Sequence, residues 1–250
     1  EMISHGYCAN RAEAARAALR AGVDMEMVSP CYAEHLPDLV ARGEVPLDWV
    51  DDAVRRILRI KFRLGLFDRP FIEPRPGVLL NPAHLATARR LAAACCVLLK
   101  NDGVLPLDCG VRKLAAIGPL ADAPAEQMGC WTVDGLARDV VTPLAALREA
   151  LAGRAEVTYA PGLPGARSTD TAGFAEAVAA ARGADAVALF LGEDAGMSGE
   201  AHCRAFLDLP GAQAGLLEAV AAAGRPVVVV VMAGRALALP DVLAKSSAVL

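Results

Sequence analysis

The sequence predicts an α/β fold built on a mostly parallel sheet. Beyond residue 92, short apolar runs typical of buried strands alternate with longer stretches of helical periodicity. Alternation of this kind is typical of a parallel sheet whose two faces are covered by helices. The predicted strands are 96–99, 113–117, 155–159, 185–191 and 226–232, and the predicted helices are 143–152, 172–182 and 212–223.

The composition supports a folded core and excludes several kinds of partner. The 250 residues are 55% hydrophobic and 22% charged, which is typical of a globular protein and not of a disordered one. The net charge of −4 offers no basic surface for nucleic acid or for anionic lipid. Apolar runs such as 227–233 are far shorter than the ~20 residues that span a bilayer. We therefore expect neither nucleic acid nor a membrane as a partner.

The first 65 residues predict an order of helix, strand, helix, helix. Asn10 followed by Glu13 resembles a capping box at the start of the first helix, which ends at Gly22. The apolar stretch 23–27 is predicted as a strand. Further helices are expected over 32–42 and from Pro46 to Gly65, the latter with apolar residues at a period of 3.6.

Closely spaced prolines between Phe67 and Pro82 favour an extended connector and a domain boundary, and a helix is expected from Asn81 to about Ala94. The sequence starts at Glu1 without a basic leader and stops in the apolar stretch 247–250. These features predict that the chain is an internal piece of a longer protein.

The cysteines and histidines predict no metal site. The seven cysteines show no C-x-x-C spacing, and the four histidines show no H-E-x-x-H motif. We expect the cysteines to be reduced and mostly structural, and we expect no cofactor.

Two loops that follow predicted strands contain the candidate functional residues, because ligands of parallel sheets bind beyond the carboxyl ends of strands. One loop, after residue 191, combines three glycines with the carboxylates Glu193, Asp194 and Glu200. One of these acids could act as a general acid/base on a neutral polar substrate. Alternatively, the segment is a solvated surface loop whose acids only cap the helix that follows it. Phosphate binding is less favoured, because neither G-x-G-x-x-G nor G-x-x-x-x-G-K-[ST] is present.

The other loop follows the strand at 113–117 and contains Trp131. A tryptophan at this edge of the sheet could form a stacking platform for the face of a sugar, or it could be a buried core anchor. The sequence alone leaves both interpretations open.

Several segments together resemble glycoside hydrolase family 3, the β-glucosidase/β-xylosidase family. They occur in order over nearly the whole chain, which makes the resemblance specific. The segments are AGVDMEM (21–27), VRRILRIKFRLGLFD (54–68), VLLKNDGVLPL (97–107), IGPLAD (117–122), and MSGEA (197–201) followed by DLPG (208–211).

The resemblance implies a domain division and a site. Residues 1–66 would be the C-terminal end of a (β/α)8-type barrel, 67–91 a linker, and 92–250 an α/β sandwich domain truncated at its C-terminus. Glu200 matches the acid/base position of the family, and Glu193 is the nearest competitor. The nucleophilic aspartate of the family would lie before Glu1, in the missing N-terminal barrel portion of the same parent chain.

The function implied is that of a fragment of a retaining, exo-acting β-glycosidase, similar to a β-glucosidase. Its substrate would be an oligosaccharide or β-glycoside with a terminal non-reducing β-D-glycosyl residue. The alternatives are a non-catalytic carbohydrate-binding or structural protein, and a nucleotide-dependent enzyme that would need a phosphate loop. Members of the family occur inside and outside bacterial cells, so cytoplasm and periplasm both stay open.

Overall fold

A computed structural model describes all 250 residues, and its internal contacts divide the chain into two compact units. Unit 1 comprises Glu1–His84 and unit 2 comprises Leu85–Leu250. The finer division into barrel end, linker and sandwich domain stays a prediction.

Unit 1 contains three helices that enclose a small core. Asn10 caps the first helix, because its Oδ1 accepts a hydrogen bond from the backbone N–H of Glu13 at 2.9 Å. The carboxylate of Glu13 accepts in return from the N–H of Ala9 at 2.9 Å, close to the predicted capping box. The helices are α1 (Arg11–Arg20), α2 (Cys31–Ala41) and α3 (Leu47–Arg63). The core consists of Ala15, Leu19, Leu36, Leu39, Val45 and Ala53.

The prediction of a strand at 23–27 is wrong. The segment is irregular, and Val23, Met25 and Met27 are 43%, 64% and 80% exposed. A strand requires hydrogen bonds to a neighbouring strand, and no segment of this chain pairs with 23–27. The segment is apolar enough for a strand, but this chain provides no neighbouring strand for it.

The proline-rich stretch contains no helix or strand between Leu64 and Asn81, as its prolines predict. The next helix, α4, runs over Pro82–Cys95. The amide N–H of His84 donates to Oδ1 of Asn81 at 2.9 Å, which confirms the predicted start of the helix.

Unit 2 is built on a six-stranded, mostly parallel sheet with strand order β1-β6-β5-β4-β2-β3. Only β1 runs antiparallel to its neighbour, which confirms the predicted α/β architecture. The strands are β1 (Lys100–Asn101), β2 (Lys113–Ile117), β3 (Glu156–Ala160), β4 (Ala186–Gly192), β5 (Val227–Met232) and β6 (Ala248–Val249). The helices are α5 (Pro124–Met128), α6 (Pro143–Ala150), α7 (Phe174–Gly183), α8 (Gln213–Ala221) and α9 (Pro240–Lys245).

The central strand β4 is buried on both faces. All seven of its residues are buried, and successive side chains point to opposite sides of the sheet. Val187, Leu189 and Leu191 pack into one hydrophobic cluster with α7 and α8. Ala188 and Phe190 pack into the other, with α6. The sheet therefore forms a rigid support for the loops that follow its strands.

The edge of the sheet differs from the prediction. Residues 96–99 are not a strand. Lys100 and Asn101 form β1 and pair with β6, and the N–H of Leu99 also donates to the carbonyl oxygen of Val249 at 2.8 Å. Helix α9 and strand β6 were not predicted. Among the helices, none combines the length and the apolar character needed to cross a bilayer.

Candidate active site

Three strand ends meet around one cleft at the carboxyl edge of the sheet. Strands β2 and β4 are parallel neighbours, and β4 is followed in the sheet by the parallel strand β5. The cleft has a volume of about 530 Å³ and is lined by residues from the loops after all three strands. The two loops selected from the sequence, after the strands at 113–117 and 185–191, therefore lie at the same edge of the sheet.

Two glycines lie where the loops after β2 and β4 leave the sheet, close to the backbone of a neighbouring strand. Gly118 has φ +114°, and a Cβ there would lie 2.1 Å from the carbonyl oxygen of Phe190. Gly192 has φ +137°, and a Cβ there would lie 1.9 Å from the carbonyl oxygen of Met232. No L side chain fits these conformations without displacing a neighbouring strand.

Glu193, the first acid after β4, is enclosed by two arginines. Its side chain is only 1% exposed. Nη1 of Arg204 donates to its Oε1 at 2.8 Å, and Nε of Arg235 lies 3.2 Å from its carboxylate. Both oxygens of Glu193 are therefore occupied by guanidinium groups, and neither faces open solvent.

Glu200 has the opposite environment. It is exposed, and its carboxylate takes part in no hydrogen bond or ion pair. It lies at the tip of a sharp turn between Gly199 (φ +118°) and Ala201 (φ +62°). Ser198 and Gly199 line the cleft, so Glu200 directly follows the lining residues. Its carboxylate is free to engage a ligand.

A second set of polar contacts joins the loop after β4 to the loops after β2 and β3. The carboxylate of Glu126 in α5 accepts a hydrogen bond from the N–H of Ala195 at 2.7 Å. Asp194 forms a bidentate ion pair with Arg167. The hydrogen bonds that Arg167 donates to Asp194, with the negative charges of Asp194 and Glu126, raise the pKa of Arg167 above its usual value.

The interpretation that the loop acids cap the next helix is wrong. The helix after the loop is α8, whose N-terminal cap is Ala212 without any side-chain hydrogen bond. Glu193 and Asp194 instead bind arginines, and Glu200 binds nothing within the chain.

Trp131 lines the cleft and is 72% exposed. The alternative that it is a buried core anchor is therefore wrong. An exposed indole ring beside a polar cleft can stack on the apolar face of a sugar. Its binding role stays a prediction.

Sequence reasoning missed three polar residues that shape the site. Arg235 lies just after β5. Ligands of parallel sheets bind beyond the carboxyl ends of strands, and this rule, applied to β5 as well, would have indicated Arg235. Gln213 is fully buried among apolar residues of α8, and a polar side chain in such a stretch signals a hydrogen-bonding role. Arg204 lies in an irregular segment and carries no comparable signal. The His, Cys, Asp and Glu side chains form no group of three suited to hold a metal ion.

Comparison with protein families gives two matches that together cover most of the chain. Residues 96–250 match the Glycosyl hydrolase family 3 C-terminal domain, and residues 1–60 match the Glycosyl hydrolase family 3 N terminal domain.

Among curated relatives, the chain is similar to a periplasmic beta-glucosidase of Salmonella typhimurium, with 36% identity over 96% of this chain and 35% of the relative. It is also similar to a beta-xylosidase of Formosa agariphila, with 35% identity over 94% of this chain and 34% of the relative. Its fold is similar to that of a beta-glucosidase from Listeria innocua crystallised with isofagomine, with 32% identity and a TM-score of 0.89. The match covers 100% of this chain and 34% of that one. The chain thus spans about a third of the length of these relatives.

Proposed function

The chain belongs to glycoside hydrolase family 3, and we propose that it is the part of a retaining, exo-acting β-glycosidase that supplies the general acid/base, Glu200. The nucleophilic aspartate would come from a barrel portion of the parent protein outside this chain. The substrate would be a β-glycoside with a terminal non-reducing glucose-like residue, in keeping with the β-glucosidases and β-xylosidases among the relatives. Residues 1–66, 67–91 and 92–250 would be barrel end, linker and sandwich domain.

The observation that carries the proposal is the contrast between the two glutamates of the loop. A general acid/base must reach the glycosidic oxygen and must exchange protons with water. Glu200 is exposed, unpartnered and next to the cleft, whereas Glu193 is buried between Arg204 and Arg235. Only Glu200 meets both requirements without breaking existing contacts.

The mechanism follows from the requirements of retaining hydrolysis. In the first step, protonated Glu200 gives its proton to the departing glycosidic oxygen while the aspartate attacks the anomeric carbon; the C–O bond to the aglycone breaks and a glycosyl ester forms. In the second step, Glu200 as carboxylate takes a proton from water, whose oxygen attacks the anomeric carbon and releases the aspartate. Trp131 would stack on the sugar or on the aglycone at the cleft.

The decisive experiment compares Glu200→Ala with the unmodified parent enzyme on two leaving groups. Glu200→Ala should slow hydrolysis of alkyl β-glycosides by ~10²–10⁴-fold, because proton donation to a poor leaving group is lost. Glycosylation by a dinitrophenyl β-glycoside should slow much less, since that group departs without a proton. Equal losses on both substrates, or no loss on the alkyl glycoside, would contradict the assignment.

The second candidate, a non-catalytic carbohydrate-binding protein, predicts another result. It requires binding of β-glycosides with no hydrolysis by the parent protein. The 250-residue chain alone should also be inactive under our proposal, because a retaining enzyme needs two carboxyl groups about 5–5.5 Å apart. Activity of the parent protein therefore separates the two candidates.

A further inference from the structure

We infer that Glu193 is a positioning residue, whose buried ion pairs with Arg204 and Arg235 hold the Glu200 turn in its working geometry. The inference rests on the proposed acid/base role of Glu200. It assigns to Glu193 an indirect part in the same reaction.

The arginines hold the loop backbone on both sides of Glu200. Nη2 of Arg235 donates to the carbonyl oxygens of Met197 and His202, the latter at 2.8 Å. These carbonyls lie three residues before and two residues after Glu200. A single guanidinium group therefore closes the turn that carries the acid. Its planar fork of donors suits it to bind two carbonyls and a carboxylate at once.

Arg204 extends the same network toward the end of the loop. Its Nη2 donates to the carbonyl oxygen of Asp208 at 3.0 Å, while its Nη1 binds Glu193. The side chains of Arg204 and Arg235 are only 15% and 22% exposed. Glu193 is thus the shared acceptor that fixes both arginines beneath the loop.

The turn itself needs support from outside. Ala201 adopts φ +62° although it has a Cβ, and Gly199 adopts φ +118°. Non-glycine residues persist in this region only where surrounding contacts impose it. Within the turn the backbone contributes one long hydrogen bond, from the N–H of His202 to the carbonyl of Gly199 at 3.2 Å. The ring Nδ1 of His202 also lies 3.2 Å from the carbonyl oxygen of Ser198. The bonds from Arg235 add a constraint from outside the turn.

Glu193 can fix the loop because it is attached to the rigid part of unit 2. It directly follows β4, and its N–H donates to the carbonyl oxygen of Met232 in β5 at 2.8 Å. Arg235 follows β5 by three residues. Glu193, Arg204 and Arg235, which we call the clamp, therefore attach the exposed loop that carries Glu200 to the buried strands β4 and β5.

The test measures leaving-group dependence of the parent enzyme in Glu193→Gln and Arg235→Lys. Misplacing an acid by about an ångström can cost up to ~10²-fold, so hydrolysis of an alkyl β-glycoside should fall roughly 10- to 100-fold in kcat. Glycosylation by a dinitrophenyl β-glycoside should fall less than about threefold, because it needs no proton from Glu200. Arg235→Lys keeps the charge but has a single, shorter-reaching ammonium group, which cannot replace both the Nε contact to Glu193 and the Nη2 contacts to the two carbonyls. It provides the same test should Glu193→Gln fail to fold.

Asp185→Asn is the matched control. Asp185 precedes β4 as Glu193 follows it, and its carboxylate also accepts hydrogen bonds, from the N–H groups of Arg112 and Lys113. Its replacement should leave the ratio of the two substrates unchanged. A purely structural role for Glu193 would lower both rates equally in Glu193→Gln, as a reduced folded fraction does, and would overturn the inference.

Glu200→Ala, measured beside these variants, separates the acid/base role of Glu200 from the positioning role of Glu193. Where Glu200→Ala shows the leaving-group effect and neither clamp variant does, the clamp is wrong and the proposed function stands. Where Glu200→Ala shows no such effect, the proposed function is wrong and the positioning role falls with it.

Discussion

Replacing Gln213 with Leu should be one of the most destabilising single substitutions in unit 2. Gln213 is fully buried, and its side-chain oxygen accepts from the N–H of Gly192 at 2.7 Å. Its amide group donates to the carbonyl oxygens of Gly192 and Ala166, both at 2.7 Å. Leu has a similar volume, so it would fill the site and exclude water while leaving three backbone groups without a partner.

The expected loss follows from those three groups. A buried polar group left unsatisfied costs about 1–3 kcal/mol, so three of them, with some relaxation of the loop, should lower the free energy of unfolding by about 3–5 kcal/mol. Urea denaturation of the full chain, followed by circular dichroism, measures this change, and hydrogen exchange of β4 amides assigns it to unit 2.

The chain contains one other glutamine, which serves as a control. The amide of Gln127 makes a single long hydrogen bond of 3.5 Å to the carbonyl of Ala123. Gln127→Leu should therefore change the free energy of unfolding by less than about 1 kcal/mol. A loss below about 1 kcal/mol in Gln213→Leu would refute the claim that this side chain holds the end of β4.

Three further predictions concern stability. Gly192→Ala should destabilise unit 2 by at least about 2 kcal/mol in urea denaturation, since its Cβ would strike Met232, whereas Gly165→Ala, with open space around it, should not. Hydrogen bonds from the N–H groups of Arg112 and Lys113 lower the pKa of Asp185, so its stabilising effect is complete above the pKa of the unfolded chain. The stability difference between wild type and Asp185→Asn should hence shrink as pH falls through the folded pKa; a constant difference from pH 7 to pH 2 would contradict this. Amides of residues 1–65 should exchange faster than those of β2 and β4, because the core of unit 1 has only six buried residues; uniform protection would contradict this.

The sequence predicted the sheet of unit 2 well because its central strand, β4, is buried on both faces. In a run such as 185–191, polar and apolar residues do not alternate. A short, continuous apolar run that is followed by a glycine-rich loop indicates a buried strand of a parallel sheet. The same signal failed at 23–27 and 96–99. Whether an apolar stretch becomes a strand depends on a partner strand, and the stretch itself carries no information about that partner.

For the candidate site, the sequence indicated the loops but not their internal contacts. Glu193 and Glu200 are seven residues apart in the same loop, and the residue type alone does not distinguish them. What distinguishes them is the burial of Glu193 against Arg204 and Arg235, which come from different segments. Long-range ion pairs of this kind arise from the fold, and no local pattern predicts them. The exposure of Trp131 was likewise open until its neighbours were known.

The measurement that tests the central claim most directly is chemical rescue in the parent enzyme with azide. In Glu200→Ala, azide should restore turnover of a dinitrophenyl β-glycoside, because it attacks the glycosyl ester without needing a general base. The product should be a glycosyl azide of retained configuration, identified by nuclear magnetic resonance, and Glu193→Ala should give none. A glycosyl azide from Glu193→Ala, together with near-normal hydrolysis of alkyl glycosides by Glu200→Ala, would show that the acid/base is the buried glutamate and would contradict the account.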